Sequence, residues 1–318
     1  MKRIAIALTA LACTHCALAT QFPVKPIRLI TPYPPGGGTD AVARPVAAAF
    51  NKAWGQPVVV DNRGGGGGVI AAHMVAIAPP DGYTLFLSTG GQMVSAPLVM
   101  GKVPFDPHKD FRPVSLAALL PAFLVTQAAN PVNSVQDVIT AARAAPGKLT
   151  FGSSGTGGGH HLAIEMLNAH AGIKVIHVPY KGGGPAMTAL LSSEITYSFS
   201  NFPAVRAHVQ SGRLKILASC GSIRTALAPQ APTFVESGMA DFQYVTWYGF
   251  HYPARVPDAI VNQVNAELHR ALGDRSIAES LLLQGAEASP TAPEAVTKMM
   301  RDEHARWSKV IQAQNLKF

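Results

Sequence analysis

The sequence is poor in charge, and this scarcity excludes several classes of protein. Charged residues make up only 14% of the 318 residues and hydrophobic residues 48%, which excludes a disordered chain. Lysine and arginine are scattered, without a basic run interleaved with aromatics, so no nucleic-acid partner is expected. Beyond the first segment, no window offers about 18 uninterrupted apolar residues, so no further membrane span is expected.

The first 19 residues, MKRIAIALTALACTHCALA, are typical of a secretory signal peptide. Lys2 and Arg3 precede an apolar run that ends in the small-residue cleavage site Ala17-Leu18-Ala19. Cleavage near Ala19 predicts a free protein in the periplasm. Lipid anchoring at Cys13 is the alternative, because "ALAC" faintly resembles a lipoprotein box.

Cysteine is nearly absent from the mature chain. Cleavage would remove Cys13 and Cys16 and leave Cys220, so no internal disulfide is expected. Cys220 lies in an apolar predicted strand, where a thiol is inert. The formal charge of +8 falls to +6 without Lys2 and Arg3, which favours an acidic small molecule or an anionic surface as a partner.

What the chain has in abundance is strand, glycine turn and helix in repetition. "IRLITPY", "PVVVDNR" and "YTLFLST" are predicted strands with glycine turns and helices between them, and a second series begins at "FLVTQA". The length exceeds that of a usual single domain. We therefore predict an α/β fold with two lobes, each a mostly parallel sheet flanked by helices, and three C-terminal amphipathic helices covering a lobe.

Two glycine-rich loops predict an anion site. Glycines 36 to 38 can adopt positive φ and let a ligand approach the backbone, while the following helix supplies free N–H groups. The second loop, "GSSGTGGGHH", adds the hydroxyls of Ser153, Ser154 and Thr156 as donors. A carboxylate fits such a cradle without a cationic side chain. For one isolated glycine cluster, tight turn geometry is the favoured explanation, but two in different lobes of a chain whose motifs resemble one family throughout favour a binding site.

Nucleotide and enzyme interpretations have less support. Neither loop continues into Gly-Lys-Ser/Thr or has dinucleotide-binding spacing, so no cofactor is expected. The enzyme alternative is a secreted hydrolase or metal-dependent enzyme that uses Ser153 or Ser154, or the His161/Glu165 pair. However, "GSSGTG" departs from G-x-S-x-G, and the chain has no HExxH. We expect no catalytic residue and no metal.

The order of the motifs resembles one family. "YPPGGGTDAVAR", "VVVDNRGGGGGVIAA", "PPDGYTLFLST", "FGSSGTGGGHHLAIE", "VPYKGGGPAMTALLS", "APTFVESG" and "TWYGFHYPARVP" are similar to the successive landmarks of the Bug family, the periplasmic solute receptors of tripartite tricarboxylate transport systems. The resemblance implies a two-lobed periplasmic-binding-protein (type II) fold that closes on a small carboxylate. It also implies delivery to membrane permease subunits or a sensor, and we expect a monomer.

The resemblance further implies how the chain divides. Lobe 1 comprises residues 20–121 and 222–318, and lobe 2 comprises residues 122–221. In the family, the two glycine loops hold one carboxylate from opposite lobes. The expected ligand-binding residues are Pro35, Gly36, Gly37, Gly38, Thr39, Asp40, Thr89, Ser153, Ser154, Gly155, Thr156, Gly157, Gly158, Tyr180, Lys181 and Asn201.

Some of these roles have two interpretations. Asp40 either contacts the ligand or caps the first helix, and capping is favoured. Asn201 serves the ligand or a turn, and Lys181 lies at the cleft mouth or is merely solvated. The glycine turn in "RGGGGGVIAA" is interpreted as structural.

At three positions the chain departs from the residues that the family usually has. Gly158, His160 and Thr196 stand where the family often has serine, proline and an acidic residue, so the identity of the carboxylate stays open.

Overall fold

The structure is a computed structural model that describes residues 22 to 313. The expected signal peptide at residues 1–19, with Cys13 and Cys16, lies outside this range. Within it, ten strands are formed: β1 Ile27–Thr31, β2 Val58–Asn62, β3 Thr84–Thr89, β4 Phe111–Gln127, β5 Thr150–Ser153, β6 Ile176–Pro179, β7 Tyr197–Asn201, β8 Leu214–Ser219, β9 Val245–Pro253 and β10 Glu287–Ala288.

Ten α-helices alternate with these strands in the described part of the chain. They are α1 Gly38–Trp54, α2 Val69–Ala76, α3 Ala96–Met100, α4 Val135–Ala144, α5 Gly159–Ala171, α6 Gly183–Leu191, α7 Phe202–Gln210, α8 Asp258–Gly273, α9 Arg275–Leu283 and α10 Pro293–Ala313. A 3-10 turn over Gly66–Gly68 precedes α2, and a π-helical turn over Gly91–Ser95 precedes α3.

The first lobe is built on a sheet with the order β2-β1-β3-β9-β4. Strand β1 is an apolar run and pairs in parallel with β2 and β3, as the strand-turn-helix repetition predicts. Leu29 and Ile30 are fully buried within it. Strand β9 pairs antiparallel with β3 and β4, so the sheet is parallel at its outer strands and antiparallel toward the second lobe.

The second lobe repeats this arrangement in the order β4-β7-β5-β6, with β8 also pairing with β4. Strand β5 pairs in parallel with β6 and β7, whereas β4 pairs antiparallel with β7 and β8. Parallel strands end at the same edge of a sheet, so the helices that follow β5, β6 and β7 begin side by side.

Strand β4 joins the two lobes. It pairs with β9 as far as Pro121 and with β7 from Ala122 onward. Proline has no N–H to donate to a strand ladder, so Pro121 suits the point at which the pairing partner changes. The two-lobed α/β fold expected from the sequence is thus observed, with one continuous strand crossing between the lobes.

The segment between β8 and β9 packs on the second lobe. Phe234 and Phe242 stack on each other with ring centroids 4.0 Å apart, and both stack on Phe199 of β7. Cys220, fully buried directly after β8, has its thiol pKa raised by burial.

The C-terminal helices α8 and α10 pack on β4 of the first lobe and α9 packs on α8, so the prediction that they cover a lobe is confirmed. Among residues 22–313, none of the helices is both long and apolar enough to cross a membrane.

Candidate functional site

A small cavity of about 30 Å³ lies between the two lobes, and side chains and glycines of both lobes line it. Its walls come from the ends of strands and the first turns of helices rather than from the middle of any element. The lining residues are Tyr33, Gly37, Gly38, Thr89, Ser154, Gly159, His160, Gly183, Ser200, Asn201, Ala204, Tyr244, Thr246 and Tyr248.

Four helices begin at this cavity. The first turn of α1 comes from the first lobe, and the first turns of α5, α6 and α7 come from the second. None of the four has a side chain that caps its N-terminus. The first N–H groups of a helix have no partner inside it, and its N-terminus carries a partial positive charge. Their convergence makes a site for an anion.

Asn201 shows how one helix start is left uncapped. It occupies the N-cap position of α7, where asparagine usually accepts a bond from its own helix. Instead, Asn201 Nδ2 donates to Thr246 Oγ1 at 3.0 Å, and Thr246 Oγ1 donates to Tyr244 Oη at 3.0 Å. This chain of bonds fixes the side chain of Asn201 beside the cavity.

Close packing explains two of the glycines at the helix starts. A Cβ added to Gly38, the first residue of α1, would overlap the hydroxyl of Tyr248. A Cβ added to Gly159, the first residue of α5, would overlap the hydroxyl of Tyr244. Both tyrosines are buried, and burial raises the pKa of each well above its usual range, so both hydroxyls stay protonated as donors.

The expectation that glycines 36 to 38 adopt positive φ holds for Gly36 alone. Gly36 has a φ of +85°, whereas Gly37 has a φ of −92° and a ψ of −179°. Gly37 is therefore in extended backbone that any residue can adopt. Nothing in the run of three glycines distinguishes the one that takes the left-handed conformation from its neighbours.

Asp40 stabilises the first loop and is not among the residues that line the cavity. Its Oδ2 accepts from the Gly36 N–H at 3.1 Å and from Arg44 Nε at 2.8 Å, and Asn62 Nδ2 donates to Oδ1 at 3.3 Å. Burial alone would raise the pKa of this carboxyl, but these bonds outweigh it and leave the pKa lowered. The carboxylate ties the residue before the N-cap to the helix, but it accepts from no backbone N–H of the first turn, so this bond does not cap α1.

Among residues 22–313, no carboxylate, lysine or arginine side chain lines the cavity. Its side-chain donors are hydroxyls, an amide and an imidazole. His160 is buried, with an exposed fraction of 6%, and its Nδ1 lies 3.2 Å from Ser154 Oγ. Burial lowers the pKa of His160 to about 4, and the nearby Asn201 side chain acts in the opposite direction. The imidazole is thus neutral at neutral pH.

Five of the expected ligand-binding residues line the cavity: Gly37, Gly38, Thr89, Ser154 and Asn201. The other expected ligand-binding residues do not line the cavity. Tyr180, for example, donates its hydroxyl to Glu194 at 2.9 Å. The expected residues outside the lining are Pro35, Gly36, Thr39, Asp40, Ser153, Gly155, Thr156, Gly157, Gly158, Tyr180 and Lys181.

Sequence reasoning missed the remaining lining residues. Tyr244, Thr246 and Tyr248 lie on or beside β9, which the sequence analysis recognised as a family landmark but not as a strand. Ser200 lies one residue before the predicted strand end at Asn201. The position of Ser200 at the end of a predicted strand, next to a helix start, is the feature from which its place in the site could have been predicted.

The third glycine turn contacts the opposite lobe. A Cβ at Gly67 would overlap the carbonyl oxygen of Thr156, and Gly67 also has a φ of +64°. Gln92 Nε2 donates to the Gly67 carbonyl at 2.9 Å and to Tyr33 Oη at 3.0 Å. The turn is therefore part of the contact between the lobes.

The residues of the enzyme alternative fall into two groups. Ser153 Oγ lies 2.6 Å from His177 Nε2, and the His177 ring stacks on His161 at 3.9 Å. His161 Nε2 lies 3.8 Å from Glu165. Ser153 is fully buried behind the loop and does not line the cavity, so this group has no contact with it.

Ser154, the second candidate nucleophile, does line the cavity and lies beside His160. In the described part of the chain, no acidic side chain lines the cavity to orient that imidazole, as a catalytic triad requires. Within residues 22–313, no group of three or more His, Cys, Asp or Glu side chains could hold a metal ion.

The chain is similar to known proteins in sequence and in fold. The family model of the tripartite tricarboxylate transporter family receptor, TctC, matches residues 42–316. Protein BugT of Bordetella pertussis is 35% identical over 298 residues, which cover 92% of this chain and 90% of BugT.

Two solved structures share the fold closely. Rpa4515 of R. palustris, solved with adipate, superposes with a TM-score of 0.89 at 33% identity and covers 93% of this chain and 99% of its own. MatC from Rhodopseudomonas palustris, solved with bound malate, gives a TM-score of 0.87 at 30% identity and covers 91% of this chain and 100% of its own. The family resemblance is thus confirmed, and the chain belongs to the receptor family of the tripartite tricarboxylate transporters.

Proposed function

We propose that this chain is a periplasmic receptor that captures a small carboxylate between its lobes and presents it to membrane permease subunits. The observation that carries the proposal is the convergence of four uncapped helix N-termini, from both lobes, on one cavity without a charged side chain. Helix N-termini of this kind bind carboxylates well. Family membership and the adipate and malate bound by two neighbours support the same ligand class.

Binding by neutral donors also suits a receptor that must release its ligand. A carboxylate held by N–H groups, hydroxyls and amides gains charge-assisted hydrogen bonds without a buried ion pair. Opening the lobes would return the anion to water, where its hydration competes with those bonds. Release would therefore not require a cationic side chain of the receptor to give up its charge partner.

We propose that the receptor acts as a monomer, without a cofactor, and performs no chemistry on its ligand. The secreted form would lack residues 1–19. A sensor protein in place of a permease is the second candidate partner. The distinction is made by co-purification from membranes, where a transport receptor captures integral permease subunits only when the ligand is present.

We also propose a division of the chain into two lobes. The change of partner at Pro121 and Ala122 supports the first boundary at 121/122. The packing of Phe234 and Phe242 on Phe199 favours a second lobe that continues to about residue 244, beyond the expected boundary at 221.

The test of the ligand class is a thermal-shift screen of carboxylates against uncharged sugars. A ligand that binds only the folded protein at 100 times its Kd stabilises it by about 2.7 kcal/mol. We expect malate, succinate, lactate, citrate, amino acids or aromatic acids to raise the melting temperature and sugars to have no effect. Mass spectrometry of the ligand released from gently purified protein then identifies the compound. A response to sugars alone would contradict the proposal.

The enzyme alternative is tested separately. Purified protein would be incubated with p-nitrophenyl acetate and with the best carboxylate's ethyl ester, and the Ser154→Ala variant would be the control. We expect no turnover above that of the variant. Hydrolysis that is lost in Ser154→Ala would contradict the receptor interpretation.

A further inference from the structure

Two buried polar atoms of the cavity wall lack hydrogen-bond partners. They are Nε2 of His160 and Oγ of Ser200, on side chains with exposed fractions of 6% and 1%. Both residues line the cavity, at the start of α5 and the end of β7. The other unpartnered side-chain atoms of the described residues, such as Nε2 of His251 and Oη of Tyr252, belong to residues that do not line it.

An unpartnered buried polar group is destabilising relative to the same group with a partner, because it has lost its hydrogen bonds to water and gained none in return. Nδ1 of His160 lies 3.2 Å from Ser154 Oγ, and the nearby Asn201 side chain acts on the pKa of the ring, yet Nε2 of His160 forms no hydrogen bond of normal geometry. Nδ2 of Asn201 donates to Thr246, and neither His160 Nε2 nor Ser200 Oγ bonds to the Asn201 side chain. A ligand in the cavity is therefore the available partner for both atoms.

We propose that His160 and Ser200 determine ligand specificity by hydrogen bonding to a second polar group of the carboxylate, a hydroxyl or a further carboxylate. This inference rests on the proposed function. The helix N-termini supply donors for the first carboxylate, and they do so for any carboxylic acid. His160 and Ser200 make binding selective. A monocarboxylate with no second polar group would leave His160 Nε2 and Ser200 Oγ buried without a hydrogen-bond partner.

The imidazole acts here as a neutral group. Its surroundings in the cavity are Ser154, Ser200, Asn201 and Tyr244, none of which carries a charge at neutral pH, and Tyr244 packs edge-on at 6.1 Å between ring centroids. The helix N-termini that begin beside it also disfavour a second positive charge. A neutral imidazole and a hydroxyl can each donate or accept, so the pair suits a hydroxyl as well as a carboxylate.

The experiment compares matched ligands by isothermal titration. Lactate is compared with propionate and succinate with butyrate, because each pair differs in the second polar group. We expect the wild-type protein to favour lactate over propionate, or succinate over butyrate, by tenfold or more. In His160→Leu and in Ser200→Ala, the preference for the polar member should fall toward one.

Further variants separate recognition from folding. His160→Gln keeps a polar group at the position and should retain part of the preference. His170→Leu changes an exposed histidine of the same helix and should leave the preference unchanged. Thermal melting of each variant shows that it is folded, and the preference is a ratio of two affinities that a general loss of stability does not change.

The outcomes distinguish the inference from the function on which it rests. If no carboxylate binds, the proposed function fails. If carboxylates bind but plain and polar members bind equally to the wild-type protein, the inference is wrong while the function stands. An unchanged preference in both His160→Leu and Ser200→Ala would likewise overturn it.

Discussion

The helices that begin at the cavity differ from two that begin elsewhere. Helix α4 is capped by Ser134, whose Oγ accepts from the Asp137 N–H at 3.1 Å, and α9 is capped by Asp274, which accepts from two N–H groups of its first turn. The starts of α1, α5, α6 and α7 have no such side chain. A cap satisfies a donor within the protein, whereas an uncapped start leaves it for water or a ligand. Helices α2, α3 and α8 also lack a side-chain cap, so what distinguishes the cavity is the convergence of four uncapped starts.

The backbone N–H groups at a helix start stabilise the fold when a side chain caps them, and they are available to a ligand when none does. A side-chain cap is worth about 1 kcal/mol to a helix. The four helices that begin at the cavity lack that stabilisation. Helix α7 lacks it even though an asparagine occupies its N-cap position. Adding a cap at the cavity, or removing a cap elsewhere, therefore tests directly whether the uncapped helix starts bind the ligand.

The largest effect is expected from placing a cap at the cavity, in Gly37→Asp. Gly37 is the N-cap of α1 in an extended conformation, and a Cβ there meets only the Pro34 carbonyl, at 3.8 Å. The new carboxylate would bond to the first turn of α1 and repel the ligand's carboxylate, since like-charge juxtaposition costs several kcal/mol. We expect affinity to fall by about a hundredfold or more with the melting temperature unchanged or raised.

The matched control is Ser134→Asp, which adds the same charge at the capped start of α4. It should leave affinity unchanged because α4 does not begin at the cavity. Calorimetry of both variants with the best carboxylate measures the difference. Equal affinities of Gly37→Asp and the wild-type protein would show that the start of α1 does not hold the ligand.

A smaller loss of affinity is expected from Gly159→Ala. The added Cβ would overlap the hydroxyl of Tyr244, and overpacking a buried site costs about 1–3 kcal/mol. The overlap must displace the Tyr244 hydroxyl or the first turn of α5, and the loss of one hydrogen bond to the ligand would lower affinity by about tenfold, about 1.4 kcal/mol. Gly273→Ala at the end of α8 is the control, since nothing lies within 4 Å of a Cβ there and α8 does not begin at the cavity. Similar affinities of the two variants would contradict the role given to the start of α5.

The smallest effect on binding is expected from removing a cap away from the cavity. Ser134→Ala should lower the free energy of unfolding by about 1 kcal/mol and leave ligand affinity unchanged. Chemical denaturation measures the free energy of unfolding, and calorimetry measures the ligand affinity. A changed affinity would mean that α4 is coupled to the site, which the contacts of Ser134 do not suggest.

Much of the fold follows from local sequence signals. The glycine turns mark the starts of α1, α2, α5 and α6, and the apolar runs before them form the outer parallel strands. The Ser134 cap was also predictable, because serine before an apolar-periodic run is a local signal. Strand β9 was missed as a strand since its residues are buried on both faces and show no alternation.

The site was less predictable than the fold. The loops that supply Gly37, Gly38 and Ser154 are visible as glycine clusters, but the cavity also needs residues that lie far apart in sequence, such as Tyr33, His160 and Tyr248. Their convergence depends on the crossing of β4 between the lobes, which no local pattern encodes. Whether Asp40 faces the ligand or its own loop likewise depends on the positions of Arg44 and Asn62 in the folded chain.

The central claim is that neutral donors at helix N-termini hold the carboxylate, and its most direct test is the pH dependence of affinity. The groups that line the cavity do not titrate between about pH 5.5 and 8, because burial lowers the pKa of His160 to about 4 and raises the pKa of each lining tyrosine. Protonation of His160 would add attraction for the anion only as the pH falls toward 4. A histidine with the ordinary pKa of about 6.5 would instead lose its charge, and its hold on the anion, as the pH rises through that value.

The measurement is isothermal titration of the best carboxylate at several pH values from 5.5 to 8 at constant ionic strength, corrected for the protonation of the ligand itself. The account predicts an affinity that stays constant within about threefold, a difference of about 0.65 kcal/mol. A loss of tenfold or more as the pH rises, about 1.4 kcal/mol, would contradict it and assign the binding to a protonated histidine.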